Sequence, residues 1–403
     1  MLYVCYMLNN EWFTANQKIE ISVFHKLFLC LVIMFGSFYG LFLSFFGKRV
    51  SIWLIGENRG DCVCDNGYFF YKHCKNKYFD RKIYFVINTN SPMFYEFVNE
   101  GGNVLIYGSI QHAFFFALSS VCFYTHTYSD IIYRRLYELF GVNKKLVYLH
   151  HGVLGFKKFD DFYQRKSKAM DVFIIGNNLE YQILRNDVGI AVNKIKLTGY
   201  ARYDYLVDTS KCTDLKIVYI PTFRDWILDD FYSSSFFKNI LSLINNKELC
   251  GFLSENSVIF NVYLHKYVQD FTDGLTSGCE NIKIQKLGTT SPTQLIAESH
   301  LMITDYSSVS WDFYYLGKPV LFYRFDCEEY SKLRGSYIPL DRENIGEIVC
   351  SELALVKKIA EYYNNNFQSK SKFLDFRKSV LPVLDKNNCT RIYEEAKSVE
   401  KRC

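Results

Sequence analysis

Thr304-Asp305-Tyr306-Ser307-Ser308-Val309-Ser310-Trp311-Asp312-Phe313 is the stretch that decides the reading of this chain. The apolar run before it, Ser299-His300-Leu301-Met302-Ile303, has the character of a buried strand. After it, Phe313-Tyr314-Tyr315-Leu316-Gly317-Lys318-Pro319 reads as a short helix stopped by Gly and Pro. Val320-Leu321-Phe322-Tyr323 then begins another strand. A strand, a hydroxyl-rich turn and a helix start together make an anion site: free N–H groups and the helix dipole attract a phosphate, and the Ser307 and Ser308 hydroxyls add donors. Asp312 lies one helical turn further on, where a carboxylate can accept hydrogen bonds from a ribose. The competing reading is a serine N-cap on an ordinary core helix.

Working outward, the chain alternates strand and helix patterns. Strand-like runs lie at Val50–Gly56, Lys82–Ile87, Asn103–Tyr107, Lys145–Leu149, Val172–Gly176 and Ile195–Gly199. A second series follows at Lys216–Ile220, Val258–Leu264, Ile282–Ile284, Leu301 onward and Val320 onward. This alternation predicts an α/β protein of two doubly wound parallel sheets facing a cleft. Asp208 to Asp214 is the candidate linker. The expected divisions are a membrane-associating segment at 1–48, a first Rossmann-like domain at 49–209 and a second at 210–403, whose Lys- and Glu-rich end from Tyr393 reads as a solvated helix or frayed tail. The notable polar residues follow predicted strands: His151, Arg224, His265, Thr289-Thr290-Ser291 and Asp305-Ser307-Ser308. In such sheets ligands sit beyond the carboxyl ends of the strands, so this alignment predicts one site.

Composition supports this frame. The 403 residues, 49% hydrophobic, suffice for two cores, and the 6 Pro and 22 Gly argue against long disordered linkers. The net charge of +5 is mild, and no basic-aromatic motif for nucleic acid stands out. Thirteen cysteines, many inside apolar runs, fit reduced buried thiols better than disulfides. Cys62-Val63-Cys64 lacks the spacing and second pair of a zinc site. No D-x-D cluster occurs, since Asp160-Asp161 and Asp229-Asp230 are isolated pairs. The sequence therefore requires no metal cofactor and leaves a divalent ion as an optional assistant.

Leu27 to Phe46 is uncharged and flanked by Lys26 and by Lys48-Arg49. Twenty helical residues span roughly 30 Å, the hydrocarbon thickness of a bilayer. An inserted helix is the preferred reading, ahead of a monotopic anchor or a helix packed on the first domain. A cleaved signal peptide fits least, because no small-residue cleavage site follows. Cations on both flanks leave the orientation undetermined by the charge rule.

The motifs converge on one family. His151-Gly152-Val153 with Lys157-Lys158, Pro221-Thr222-Phe223-Arg224-Asp225-Trp226, Leu264-His265, and the Thr304–Ser308 element followed by Asp312-Phe313, Lys318-Pro319 and Phe322-Tyr323 resemble the CDP-glycerol glycerophosphotransferase family. So do Ile52–Glu57 with Asp65–Tyr68, and Thr198–Asp204. These enzymes build teichoic acids and related glycerol-phosphate polymers of walls and capsules. The resemblance implies a GT-B architecture at the cytoplasmic face of the cell membrane, a CDP-glycerol donor, and a glycan or polyol-phosphate acceptor that can be lipid-linked. It implies His151 as base and His265 as a second catalytic histidine. Donor contacts would come from Thr222, Arg224, Thr289, Thr290, Ser291, Asp305, Ser307, Ser308, Asp312 and Arg334, with Lys157 as a weaker candidate for an anionic acceptor. Lys266 follows His265 where the family often has Pro. His150 is read as structural, and His73, His112, His126 and His300 as packing residues. A CDP-ribitol phosphotransferase and a GT-B nucleotide-sugar glycosyltransferase are the alternative enzymes, and a decayed membrane-bound scaffold is the non-enzymatic one.

Overall fold

The computed structural model describes residues 22–401 apart from 49, 62, 80, 100, 142, 159–169, 213, 287, 288 and 344, and apart from the side chains of 228, 229, 266 and 267. Cys62 of the Cys-Val-Cys pair and Asp160-Asp161 therefore lie outside the described residues, as does the start of the 1–48 segment.

Among the described residues, thirteen short strands form two parallel sheets. The first contains β1 (Ile52–Gly56), β2 (Lys82–Ile87), β3 (Val104–Ile106), β4 (Val121–Tyr124), β5 (Lys145–Tyr148), β6 (Val172–Ile175) and β7 (Ile195–Leu197), in the order β3-β2-β1-β4-β5-β6-β7. The second contains β8 (Lys216–Tyr219), β9 (Ile259–Tyr263), β10 (Ile282–Gln285), β11 (Leu301–Thr304), β12 (Val320–Tyr323) and β13 (Glu347–Val349), in the order β10-β9-β8-β11-β12-β13. Both orders reverse direction after their first strand, at β1/β4 and β8/β11, which is the doubly wound pattern with its ligand crevice at the switch point. The central strands are buried on both faces, so they read as unbroken apolar runs: Ile52, Trp53, Leu54 and Ile55 are all essentially inaccessible. The expected two-domain GT-B arrangement holds.

Two strands, β4 and β13, carry no clear mark in the sequence. β4 pairs with β1 through Trp53–Val121 and Leu54–Cys122, at the heart of the sheet. It follows the apolar helix Ile110–Leu118 after a two-residue break, so the two apolar runs merge when read as text.

The chain end departs from the solvated tail expected of it. The last helix, Asn388–Lys401, buries Cys389, Ile392, Tyr393, Ala396 and Val399. It packs on the first sheet, not the second. Tyr393 stacks on Tyr78 with ring centroids 3.5 Å apart. Glu400 accepts hydrogen bonds from Ser51, Trp53, Ser120 and Arg81. The helix Ser371–Val380 stays with the second domain, where Tyr314 Oη donates to the Phe373 carbonyl at 2.6 Å. The chain thus crosses back to the first domain between these two helices.

The amino-terminal helix runs Val23–Phe45. Its buried stripe, Lys26, Leu29, Cys30, Ile33 and Gly36, follows the three-and-four spacing of one helical face. That stripe lies on the helix Ile110–Leu118, and Gly36 permits the approach: a Cβ there would sit 2.7 Å from Ala117 Cβ. The opposite face exposes Phe24, Leu31, Phe35, Phe38, Leu41, Phe42 and Phe45.

Candidate active site

The site begins at the end of β5. The strand does not run on through His150, which has φ +63°. This left-handed backbone turns the chain sharply, a conformation that is uncommon outside glycine and often held at functional sites. His150 is buried, and burial beside His151 and Arg202 holds its imidazole well below the usual histidine range. Asn66 Nδ2 donates to the His150 carbonyl at 2.8 Å. His151 emerges exposed. Its Nδ1 lies 3.1 Å from the carbonyl of Thr125, at the end of β4. A carbonyl only accepts, so Nδ1 carries the proton and Nε2 is left as the basic nitrogen.

Gly152 brings this turn against the second domain. A Cβ built on Gly152 would lie 2.5 Å from Ser308 Oγ. The His151-Gly152 turn and the serine turn therefore meet, at the carboxyl ends of β5 and β11. Further bonds close the two lobes around this junction. Tyr337 N and Ser336 Oγ each donate to the Gly155 carbonyl at 2.8 Å, and Tyr330 Oη donates to the Phe156 carbonyl at 3.2 Å.

In the serine turn, Val309 N donates to Ser307 Oγ at 3.3 Å, Ser310 N to the Ser307 carbonyl and Trp311 N to the Ser308 carbonyl. Asp305 is not available to a ligand. It is fully buried, and its carboxylate accepts from Thr222 N, Tyr306 N and Arg224 Nη2 at 2.8, 2.5 and 2.9 Å. It ties the β8 loop to the β11 loop across the switch point.

Arg224 departs from the phosphate grip expected of it. Its guanidinium is buried, bidentate to Asp326 at 2.8 and 3.1 Å, and paired with Asp305. Its charge is answered inside the protein. Asp312 is likewise engaged: Arg202 Nε and Nη2 donate to its two oxygens at 2.8 and 2.7 Å. Arg202 also pairs with Asp65 at 3.3 Å. This clasp joins the first domain to the helix Ser310–Tyr315, and the sequence reading assigned Arg202 no role. Burial pushes Asp65 up to about 6, against the lowering effect of Arg202. Arg334 pairs with Asp225 at the rim.

The other expected residues are more scattered. His265 is exposed after β9, its ring stacked on Phe223 with centroids 5.6 Å apart. Thr222, the residue before Phe223, is half-buried, its N–H held by Asp305. Thr289, Thr290 and Ser291 follow the edge strand β10. Thr289 Oγ1 donates to the Lys286 carbonyl, Thr290 Oγ1 to Gln285, and Ser291 caps the helix Pro292–Glu298. Lys157 is exposed on the loop facing Gly335.

His112 is buried, its imidazole pushed down to about 4 by desolvation, and Nε2 lies 2.7 Å from the Ile131 carbonyl. His300 Nδ1 accepts from Lys216 N at 3.3 Å. Both are packing residues, as expected. His126 packs its ring on that of His151, with centroids 4.1 Å apart. Among the described residues, one cluster, His73, Asp204 and Cys389, has metal-donor character. Its groups already serve the docking of the last helix: Asp204 accepts the N–H groups of Asn388 and Cys389 at 3.0 and 2.8 Å.

Residues 38–397 match the family CDP-Glycerol:Poly(glycerophosphate) glycerophosphotransferase. The chain belongs to this family. Among curated relatives of this glycerophosphotransferase-family chain, the minor teichoic acid biosynthesis protein GgaB of Bacillus subtilis (strain 168) is 26% identical over 374 residues, 86% of this chain and 39% of its own length. The teichoic acid glycerol-phosphate transferase of Staphylococcus aureus (strain NCTC 8325 / PS 47) is 27% identical over 54% of this chain and 58% of its own length. The chain thus spans less than two thirds of the length of these relatives. Among solved structures, the wall teichoic acid polymerase TagF aligns with a TM-score of 0.66 at 18% identity, covering 88% of this chain and 90% of that one. A putative UDP-N-acetylglucosamine 2-epimerase from Listeria monocytogenes aligns with a TM-score of 0.58 at 14% identity, covering 88% and 98%. At these identities the two structures show a shared fold.

Proposed function

We propose that this chain transfers glycerol phosphate from CDP-glycerol to a hydroxyl of a glycan or polyol-phosphate acceptor, releasing CMP, in the synthesis of a wall or capsule polymer. The observation that carries the reading is the meeting of the His151-Gly152 turn with Ser308 across the cleft. Family membership supports the donor class. In the reaction, the acceptor oxygen attacks the phosphorus that bears glycerol. The bond from that phosphorus to the bridging oxygen breaks, and CMP departs with the electron pair. His151 Nε2 takes the hydroxyl proton. Ser307 and Ser308 hold phosphate oxygens, where positioning and charge neutralisation matter more than covalent help. His265 is assigned to the leaving side of the same transfer. The reading needs no resident cofactor and admits a divalent ion bound with the donor phosphates.

The donor assignment is tested by incubating the protein with CDP-glycerol, CDP-ribitol and UDP-sugars and following nucleotide release. CMP from CDP-glycerol is the expected product. Exclusive turnover of CDP-ribitol or release of UDP would replace the donor, and the ribitol-phosphate polymerase TarL of Staphylococcus aureus, 24% identical over 49% of this chain, makes ribitol the next candidate.

We assign the chain to the membrane surface, through the exposed phenylalanine-rich face of Val23–Phe45. Its other face packs on the first domain, which supports a helix lying along the bilayer interface. Phe35→Glu with Phe38→Glu should abolish sedimentation of the protein with phospholipid vesicles while CMP release from a soluble acceptor persists. Undiminished sedimentation would remove this helix as the anchor.

A further inference from the structure

His126 follows β4 and carries no recognisable motif, yet its imidazole lies flat on that of His151. The ring centroids are 4.1 Å apart and the planes differ by 14°. Both rings hang from one residue. The carbonyl of Thr125 accepts from His151 Nδ1 at 3.1 Å, and the hydroxyl of Thr125 lies 2.8 Å from His126 Nδ1. That hydroxyl also lies 3.3 Å from Asp130 Oδ2, so it links the carboxylate to the imidazole of His126. Asp130 is buried and fixed in turn. Its carboxylate accepts the N–H groups of Arg59, Thr125, His126 and Thr127. A buried carboxylate, a hydroxyl and an imidazole thus form a rigid bracket that ends against the face of His151.

A histidine exposed on a turn has two rotatable side-chain torsions, and contacts at Nδ1, here the Thr125 carbonyl at 3.1 Å and Tyr148 Oη at 3.5 Å, still allow the ring to swing about that atom. A flat partner removes that freedom. We propose that His126 is a positioning residue for the transfer: its ring is the wall that keeps His151 Nε2 aimed at the acceptor hydroxyl. The inference rests on the base role given to His151 above. Misplacement of a reacting group by about 1 Å can cost on the order of 100-fold in rate, so the bracket acts on turnover and not on donor binding.

The test uses the full chain with His126→Ala and His126→Phe. His126→Ala should lower kcat by about 10- to 100-fold with KM for CDP-glycerol unchanged, and His126→Phe, which restores a flat ring without nitrogens, should recover most of that loss. Unaltered kcat in His126→Ala overturns the proposal. So does a His126→Phe variant as slow as His126→Ala, since the nitrogens and not the ring plane would then matter. A second readout needs no substrate: nitrogen-15 NMR of the imidazoles should show His151 as the single Nδ1–H tautomer in the parent and as a mixture in His126→Ala. An unchanged tautomer overturns the bracket even if the donor assignment stands. Failure of the parent protein to release CMP, with the tautomer shift present, overturns the reaction and not the bracket.

Discussion

His151→Ala is expected to slow CMP release by about 10²- to 10⁴-fold, the range set by removal of a positioned general base, while the protein keeps its fold and its affinity for CDP. The physical ground is local. His151 is exposed, so its loss opens no cavity, and its one described backbone bond, to the Thr125 carbonyl, can be replaced by water. Donor binding is assigned mainly to the serine turn on the other lobe, which is built by Asp305 and the Ser310–Tyr315 helix without help from His151. A neutral imidazole with its proton on Nδ1 presents Nε2 as acceptor near neutral pH, where no other side chain at an ordinary pKa can do so. His151→Gln should remain close to the alanine variant, since an amide cannot take up the proton. Steady-state kinetics with CDP-glycerol and an acceptor, alongside CDP binding by calorimetry, separates the terms. Near-parental turnover in either variant would remove the base assignment and leave the cleft with a binding role for His151.

The parts of this site that were legible in the sequence are those written locally. Ile52–Gly56 and Leu301–Thr304 announce themselves because a strand buried on both faces needs a continuous apolar run, and a loop with polar residues must follow it at the sheet rim. His151 and Ser307-Ser308 stood out by that rule, and the family resemblance gave them, with Thr222, their expected roles. Pairings across long separations were not legible. Asp312 reads as a ribose ligand until Arg202, 110 residues earlier in the chain, is seen to occupy both its oxygens. Asp326, which holds Arg224, sits in no motif, and its partner is 102 residues away. His126 was passed over because stacking on His151 depends on β4 lying beside β5, and β4 itself was hidden behind an apolar helix. The final helix was misjudged for the opposite reason. Its charged face dominates the text, whereas Ile392, Tyr393, Ala396 and Val399, at helical spacing, form the face that docks.

Arg224→Ala is expected to destabilise the second domain by about 3–5 kcal/mol, because it leaves two carboxylates buried without their cation. Asp305 is fully enclosed and Asp326 nearly so, and the guanidinium is the cation that answers both. It is also packed between rings, with its central carbon 4.9 Å from the centroid of Tyr306, 5.1 Å from Phe236 and 5.2 Å from Tyr330. Truncation therefore removes packing as well as charge. A loss of that size should lower the melting temperature by roughly 10 °C, measured by circular dichroism or calorimetry. Arg224→Lys restores the charge but not the fork that reaches two carboxylates at once, and should fall between parent and alanine variant. Had Arg224 served chiefly to grip a donor phosphate, the alanine variant would melt like the parent and only KM for CDP-glycerol would rise. The buried ion pair predicts the reverse order of effects: stability falls first. Turnover then falls because Asp305 no longer holds Thr222 N and Tyr306 N, and with them the start of the serine turn, in place. Adding an Asp326→Asn change to Arg224→Ala removes one of the two stranded charges. It should recover part of the lost stability, an outcome that a surface-exposed arginine bound only to ligand would not produce.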